Sequence, residues 1–210
     1  MDDDDNILMA DEGNHRIQIF SSDHSFIKSA GSYGNKSLQF KYPSGVAISP
    51  ITKNIVISDF DNNRVQILNP DLTFNSSIAV NYGNDCGEFD HPSRVAFDSA
   101  GNMYVIDSGN NRIQVFYPKG KYLREFGKEG KGDGKLIGPM GICIDSDDTV
   151  YVVEYGNNRV SVFTHEGTFL TSFGSEGDGP GQFEVPCEIT VDKNGLIYVT
   201  DAGNNHVQIF

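Results

Sequence analysis

A chain of 210 residues buries roughly 70% of its unfolded surface, enough for one substantial core without a second domain. Its 16 Lys plus Arg against 29 Asp plus Glu give a formal net charge of -13, which repels phosphate backbones unless the cations gather on one face, and so disfavours nucleic acid. Cys86, Cys143 and Cys187 are odd in number and form no C-x-x-C pair, which argues against a disulfide framework or a zinc site and for free thiols in a reducing, cytoplasmic setting.

The chain opens on "MDDDDN", which has neither a basic nor an apolar signal region, and no apolar run approaches the roughly 18 residues of a membrane span. Aligned with "IDSDDT" at Ile144–Thr149, the acidic run becomes a turn between two strands in preference to an acidic tail. Next comes "DEGNHRIQIF" at 11–20, and the chain then repeats it: "DFDNNRVQIL" at 59–68, "DSGNNRIQVF" at 107–116, "EYGNNRVSVF" at 154–163 and "DAGNNHVQIF" at 201–210. The copies start at intervals of 48, 48, 47 and 47 residues, the period of a propeller or another stacked array.

The copy running from Pro92 shows the content of one unit. Four apolar segments, "RVAFD" (94–98), "NMYVID" (102–107), "RIQVF" (112–116) and "YLREFG" (122–127), have the length and composition of strands. "SAGN", "SGNN" and "YPKGK" lie between them and supply the Gly and Asn that tight turns require, which makes neighbouring strands antiparallel. The longer connections, such as "GKEGKGDGKLIGPM" from Gly127 and "GSEGDGPGQFEVPC" from Gly174, carry the chain to the next unit. No segment has apolar residues at helical spacing over helical length, which excludes helical solenoids. Strands such as "VYVVE" and "LIYVT" are apolar at consecutive positions, as expected when other sheets cover both faces. Four-stranded sheets packed face to face around an axis make a β-propeller.

"PSGVAIS…NIVISDFDNNRVQIL" and "GPMGICID…VYVVEYGNNRVSVF" resemble NHL repeats, and the resemblance covers essentially the whole chain. It implies an all-β, NHL-type propeller of four-stranded antiparallel blades, usually six to a ring. Residues 1–210 are read as a single propeller domain with five visible repeats, the first and last incomplete: 18 strands in all, expected to be a truncated six-bladed ring whose open blade edges allow self-association.

A group that recurs in every blade serves the blade, so the signature is read as architecture. Asp11, Asp59, Asp107, Glu154 and Asp201 end the second strands and are expected to accept turn amides. Arg16, Arg64, Arg112 and Arg159 are expected to pair with carboxylates, with His206 departing from the pattern. Gly13, Gly109, Gly156 and Gly203 are expected to supply the permissive backbone at the turn, Asp61 being the exception, with Gly and Asn together giving the positive φ that such turns need. Function then lies where the copies differ. Phe60 and Tyr155 are aromatic at the second signature position, while "HPSR", "GPMG" and "VPCE" place His91, Arg94, Met140, Cys187 and Glu188 around the central opening. Phe60, His91, Arg94, Met140, Tyr155 and Glu188 are the candidate contact residues; Lys128, Lys131 and Lys135 form a small loop whose charge Glu129 and Asp133 largely cancel.

The resemblance implies a non-catalytic module that selects a protein partner or ubiquitination substrate, as at the C-terminus of tripartite-motif proteins, where an upstream RING carries ligase activity. The alternatives are an RNA-binding propeller, opposed by the net charge, and a metal-dependent lyase or lactonase. The latter needs about three ligands in one pocket, and of His15, His24, His91, His165 and His206 only His91 falls near the axis. No cofactor and no metal are expected.

Overall fold

The computed structural model describes residues 5–78 and 81–210; most of the expected acidic turn, residues 1–4, lies outside them. Asp5, the last of that run, has φ 59°, as Asp148 has φ 60° in the turn aligned with it.

The described residues form 18 strands in five antiparallel sheets, three of four strands and two of three. The first blade holds β1 (Ile7–Asp11), β2 (Arg16–Phe20) and β3 (Phe26–Ala30). The second runs β4 (Pro43–Ile48), β5 (Ile55–Asp59), β6 (Arg64–Leu68) and β7 (Phe74–Ile78). The third runs β8 (Pro92–Phe97), β9 (Met103–Asp107), β10 (Arg112–Phe116) and β11 (Tyr122–Phe126). The fourth runs β12 (Pro139–Ile144), β13 (Val150–Glu154), β14 (Arg159–Phe163) and β15 (Phe169–Phe173). The fifth holds β16 (Pro186–Val191), β17 (Ile197–Asp201) and β18 (His206–Ile209). Within each sheet, chain order equals spatial order, because the short turns allow nothing else.

The consecutive apolar residues of β5, β6, β9 and β10 are buried at every position, since each of these strands lies between two neighbouring blades. The core is accordingly divided. Each interface between successive blades has its own hydrophobic cluster, and each cluster includes one fully buried side chain from the connection that crosses it: Phe40, Phe89, Leu136 and Phe183. The inner strands β4, β8, β12 and β16 touch in succession and β1 touches β4. No strand pair between the first and fifth blades packs comparably among the described residues. The arrangement is a β-propeller of five blades.

All four inner strands begin with an irregularity. The register shifts after Pro43, Pro92, Pro139 and Pro186, leaving Ser44, Ser93–Arg94, Met140 and Cys187–Glu188 out of step with the partner strand. Such bulges turn side chains away from the regular face of a sheet, and here they turn them toward the axis.

Candidate functional site

The ten-residue signature is the hairpin between the second and third strands. Its first and sixth residues face each other across the ladder: Asp11 and Arg16, Asp59 and Arg64, Asp107 and Arg112, Glu154 and Arg159, Asp201 and His206. In the second blade the Asp59 carboxylate accepts the Lys41 amide at 2.7 Å, Asn62 Nδ2 at 3.0 Å, Arg64 Nε at 2.8 Å and Gln66 Nε2 at 3.1 Å. Arg64 then donates its remaining nitrogens to the carbonyls of Asn35, Lys36 and Gln39, each at 2.8 Å. The arginine therefore pairs with the carboxylate of its own blade and holds down the connection that precedes it. Asp107 and Arg112 repeat the scheme. Burial pushes the Asp107 carboxyl above its ordinary value against these donors. At Asp201 burial acts the same way but is outweighed by Asn204, the Glu184 amide and Gln208, and that carboxyl sits lower than usual.

One expectation about the signature is corrected. Its glycines are not left-handed; the fifth residue is, with φ between 49° and 57° at His15, Asn63, Asn111, Asn158 and Asn205. Asn adopts this region more readily than other residues with side chains. The glycines answer to space instead, since a Cβ on Gly109 would stand 2.3 Å from the Asp90 carboxyl carbon and one on Gly156 2.4 Å from Ile137. A Cβ on Gly13 would meet nothing within 4 Å.

The left-handed residue also links blades. Asn63 Oδ1 accepts the His91 amide at 2.9 Å, Asn111 Oδ1 that of Gly138 at 2.8 Å, Asn158 Oδ1 that of Val185 at 3.2 Å, and His15 Nδ1 that of Tyr42 at 3.1 Å. Each recipient precedes the proline of an inner strand and is itself left-handed, with φ between 52° and 59°. For Tyr, His and above all β-branched Val this backbone is strained, and it puts three unlike side chains on the rim beside the axis.

At the axis, on the rim that carries the signature turns, lies a funnel of about 760 Å³ bordered by all five blades. Phe60, His91, Arg94, Met140, Tyr155 and Glu188, the six candidates, all line it. Glu12, Ser44, Ser93, Ile137 and Cys187 line it as well. Of these, Ser44 and Ser93 escape a reading of repeats because bulges, which leave no mark in periodicity, aim them inward. The lysines of the 128–135 loop are not in the lining.

Arg94 and Glu188 close the funnel floor. Arg94 Nε and Nη2 donate to Glu188 Oε1, and Nη1 donates to the Ser44 carbonyl, so one side chain ties β8 to β16 and β4. Gly45 and Gly141 occupy the same step of the other two inner strands. A Cβ at either would stand 2.4 Å from a carbonyl oxygen of the next inner strand, Ser93 and Cys187 respectively. Small and large residues thus alternate around the axis, the small ones letting backbones meet and the large ones pairing across. On the walls, the Phe60 and His91 rings lie 4.7 Å apart, and the half-exposed Tyr155 ring folds over Gly138 where any Cβ would collide with it. Burial, then the Glu188 carboxylate, push the Cys187 thiol up, which leaves it a neutral thiol near pH 7. Among the described residues no group of three or more His, Cys, Asp or Glu is placed to hold a metal, and no helix is long and apolar enough to cross a membrane.

Residues 89–116 match the NHL repeat model, and residues 133–210 match a domain model described as a 6-bladed beta-propeller. The protein brain tumor of Drosophila melanogaster is 29% identical over 126 residues, 58% of this chain and 11% of its own length. The chain thus spans about a tenth of that curated relative. Among solved structures, a catalytically inactive virginiamycin B lyase from Staphylococcus aureus with quinupristin superposes with a TM-score of 0.72 at 19% identity, over 99% of this chain and 67% of the lyase. A nidogen/laminin complex gives 0.72 at 17% identity over 98% and 73%. A gluconolactonase from Xanthomonas campestris gives 0.69 at 16% identity over 93% and 65%. At such identities these structures show the fold alone.

Proposed function

We propose that this chain, an NHL-repeat β-propeller, is a non-catalytic recognition domain that holds a segment of a protein partner in its axial funnel. One observation carries the reading: the side chains in which the blades differ converge on a single cavity, whereas those they share are consumed by internal hydrogen bonds. A repeated scaffold that presents one unrepeated surface is how propellers and solenoids are put to use in binding. Likeness to the protein brain tumor supports a tripartite-motif setting, in which a RING elsewhere in the parent chain ubiquitinates what the propeller selects. A cytoplasmic location, where thiols stay reduced, belongs to the same proposal.

The test is affinity capture on the purified chain with and without ribonuclease, comparing wild type, Phe60→Ala/Tyr155→Ala and a variant of the far rim, Asp147→Asn. Partners that survive ribonuclease, are lost with the two funnel aromatics and are kept by Asp147→Asn are the expected result. Partners indifferent to Phe60 and Tyr155 would remove the funnel from the interface, and ribonuclease-sensitive recovery would make the ligand RNA.

A further inference from the structure

Charge in the funnel is unevenly committed. Arg94 is the one Lys or Arg among the lining residues, and Glu188 Oε1 and the Ser44 carbonyl already engage its guanidinium. Glu188 Oε2 and the carboxylate of Glu12, by contrast, have no hydrogen-bond partner among the described residues. At the mouth His91 is bracketed by Asp90 on Nδ1 and by Asp61, 3.9 Å from Nε2, so its two neighbours add two more carboxylates.

Glu12 and Glu188 share the funnel lining with Phe60, Ile137, Met140 and Tyr155. Glu12 is exposed and the Glu188 side chain is 44% exposed, so both carboxylates are open to an incoming cation, and aromatic faces add to the attraction. A polyanion meets the opposite sign, and the net charge of -13 steers basic segments toward the protein and phosphate chains away from it.

We propose that the funnel receives a basic side chain, arginine or lysine, from a partner polypeptide with apolar residues on either side of it. This rests on the partner-recognition reading and gives it a chemical class. The cation sits on Glu188 Oε2 and Glu12, and its apolar neighbours lie on Phe60, Met140 and Tyr155. Arg94 is then the internal competitor, holding Glu188 until a partner shares it.

Opposite effects from the two members of one ion pair make the proposal testable. The probes are fluorescein-labelled octapeptides of alternating leucine and arginine or alternating leucine and glutamate, and labelled octauridylate. Binding to the full chain is followed by anisotropy for wild type, Glu188→Gln, Arg94→Gln and Asp147→Asn, each first shown by melting to be folded. The expected result is that only the leucine–arginine peptide binds, at least ten-fold more weakly to Glu188→Gln, as tightly or more tightly to Arg94→Gln, and unchanged to Asp147→Asn. Equal weakening by Asp147→Asn would reduce the effect to general charge attraction and overturn the proposal, as would failure of that peptide to bind. Arg94-dependent binding of the glutamate peptide or of octauridylate would overturn the basic class while leaving the funnel as the site. Failure of the recognition reading itself appears elsewhere, as captured partners indifferent to Phe60 and Tyr155.

Discussion

At the scale of single residues, the fourth blade shows how tightly the signature is drawn. It reads Glu154 where the other blades have Asp and Ser161 where they have Gln. The two changes compensate. The longer carboxylate reaches toward the strand, and Ser161 Oγ donates to Glu154 Oε1 at 2.5 Å where Gln66 would have spanned the distance from the other side. Glu154 still accepts the Ile137 amide, Asn157 and Arg159, so the turn and the connection keep their anchors. Neighbours within one buried hydrogen-bond network couple by 0.5–3 kcal/mol, roughly. Glu154→Asp alone is therefore expected to leave Ser161 without its acceptor, and Ser161→Gln alone to crowd the longer carboxylate. The double variant restores the arrangement of the second and third blades and is expected to be more stable than either single change, with a coupling of about 1 kcal/mol or more in urea unfolding. Additive effects would show that the pair is independent. Both substitutions are visible in the sequence as departures from the repeat, and so were the anchoring roles of the aspartates and arginines. The left-handed fifth residue was not legible, because Asn and Gly both suit such a turn and only the backbone decides between them.

At the scale of strands, the repeat gave their number and order, and the apolar runs gave the doubly buried middle strands. What the repeat hides is the bulge after each inner-strand proline. Each inner strand shifts its register by one residue there, a step that leaves no mark in a sequence, yet it helps decide that Arg94 and Glu188 meet across the axis. The glycines opposite them carry the matching constraint. Gly141 allows β12 to touch β16, and a Cβ there would stand 2.4 Å from the Cys187 carbonyl oxygen and 3.0 Å from the Glu188 Cα. These are backbone atoms, so relief requires the inner strands to part. Overpacking of this kind costs about 1–3 kcal/mol. Gly141→Ala is thus expected to lower stability by about that amount, and by moving Glu188 to weaken whatever binding depends on the funnel. Gly13→Ala, at a position where a Cβ meets nothing within 4 Å, is the control and is expected to change stability by less than about 0.5 kcal/mol. Equal melting of both variants would mean that the inner strands are looser than their contacts show.

At the scale of the whole molecule, the same side chains have different fates according to the blade that carries them. Val207 and Ile209 of β18 are 54% and 59% exposed, while Val65 and Ile67 in β6 and Ile113 and Val115 in β10, at the same steps, are 6% or less. Met9 of β1 is 46% exposed where Ile57, Val105, Val152 and Val199 are fully buried. Wherever a neighbouring sheet stands on that side, it covers the residue, so among the described residues the first and fifth blades each present an apolar face with no sheet upon it. Among the described residues β1 and β18 stand at sheet edges, whose backbone donors and acceptors further strands can pair with. Apolar faces joined to open edges drive association, and two copies of this chain can bury them against each other with no change inside the blades. Sedimentation velocity of the isolated chain is expected to show a concentration-dependent rise in mean mass, abolished by Met9→Lys with Ile209→Lys. Neither residue lines the funnel, so the double variant is expected to keep the same partner binding as a strict monomer, which separates the two surfaces experimentally. A wild-type chain that sediments as one species at every concentration would show that these faces are too small to hold a second copy in water.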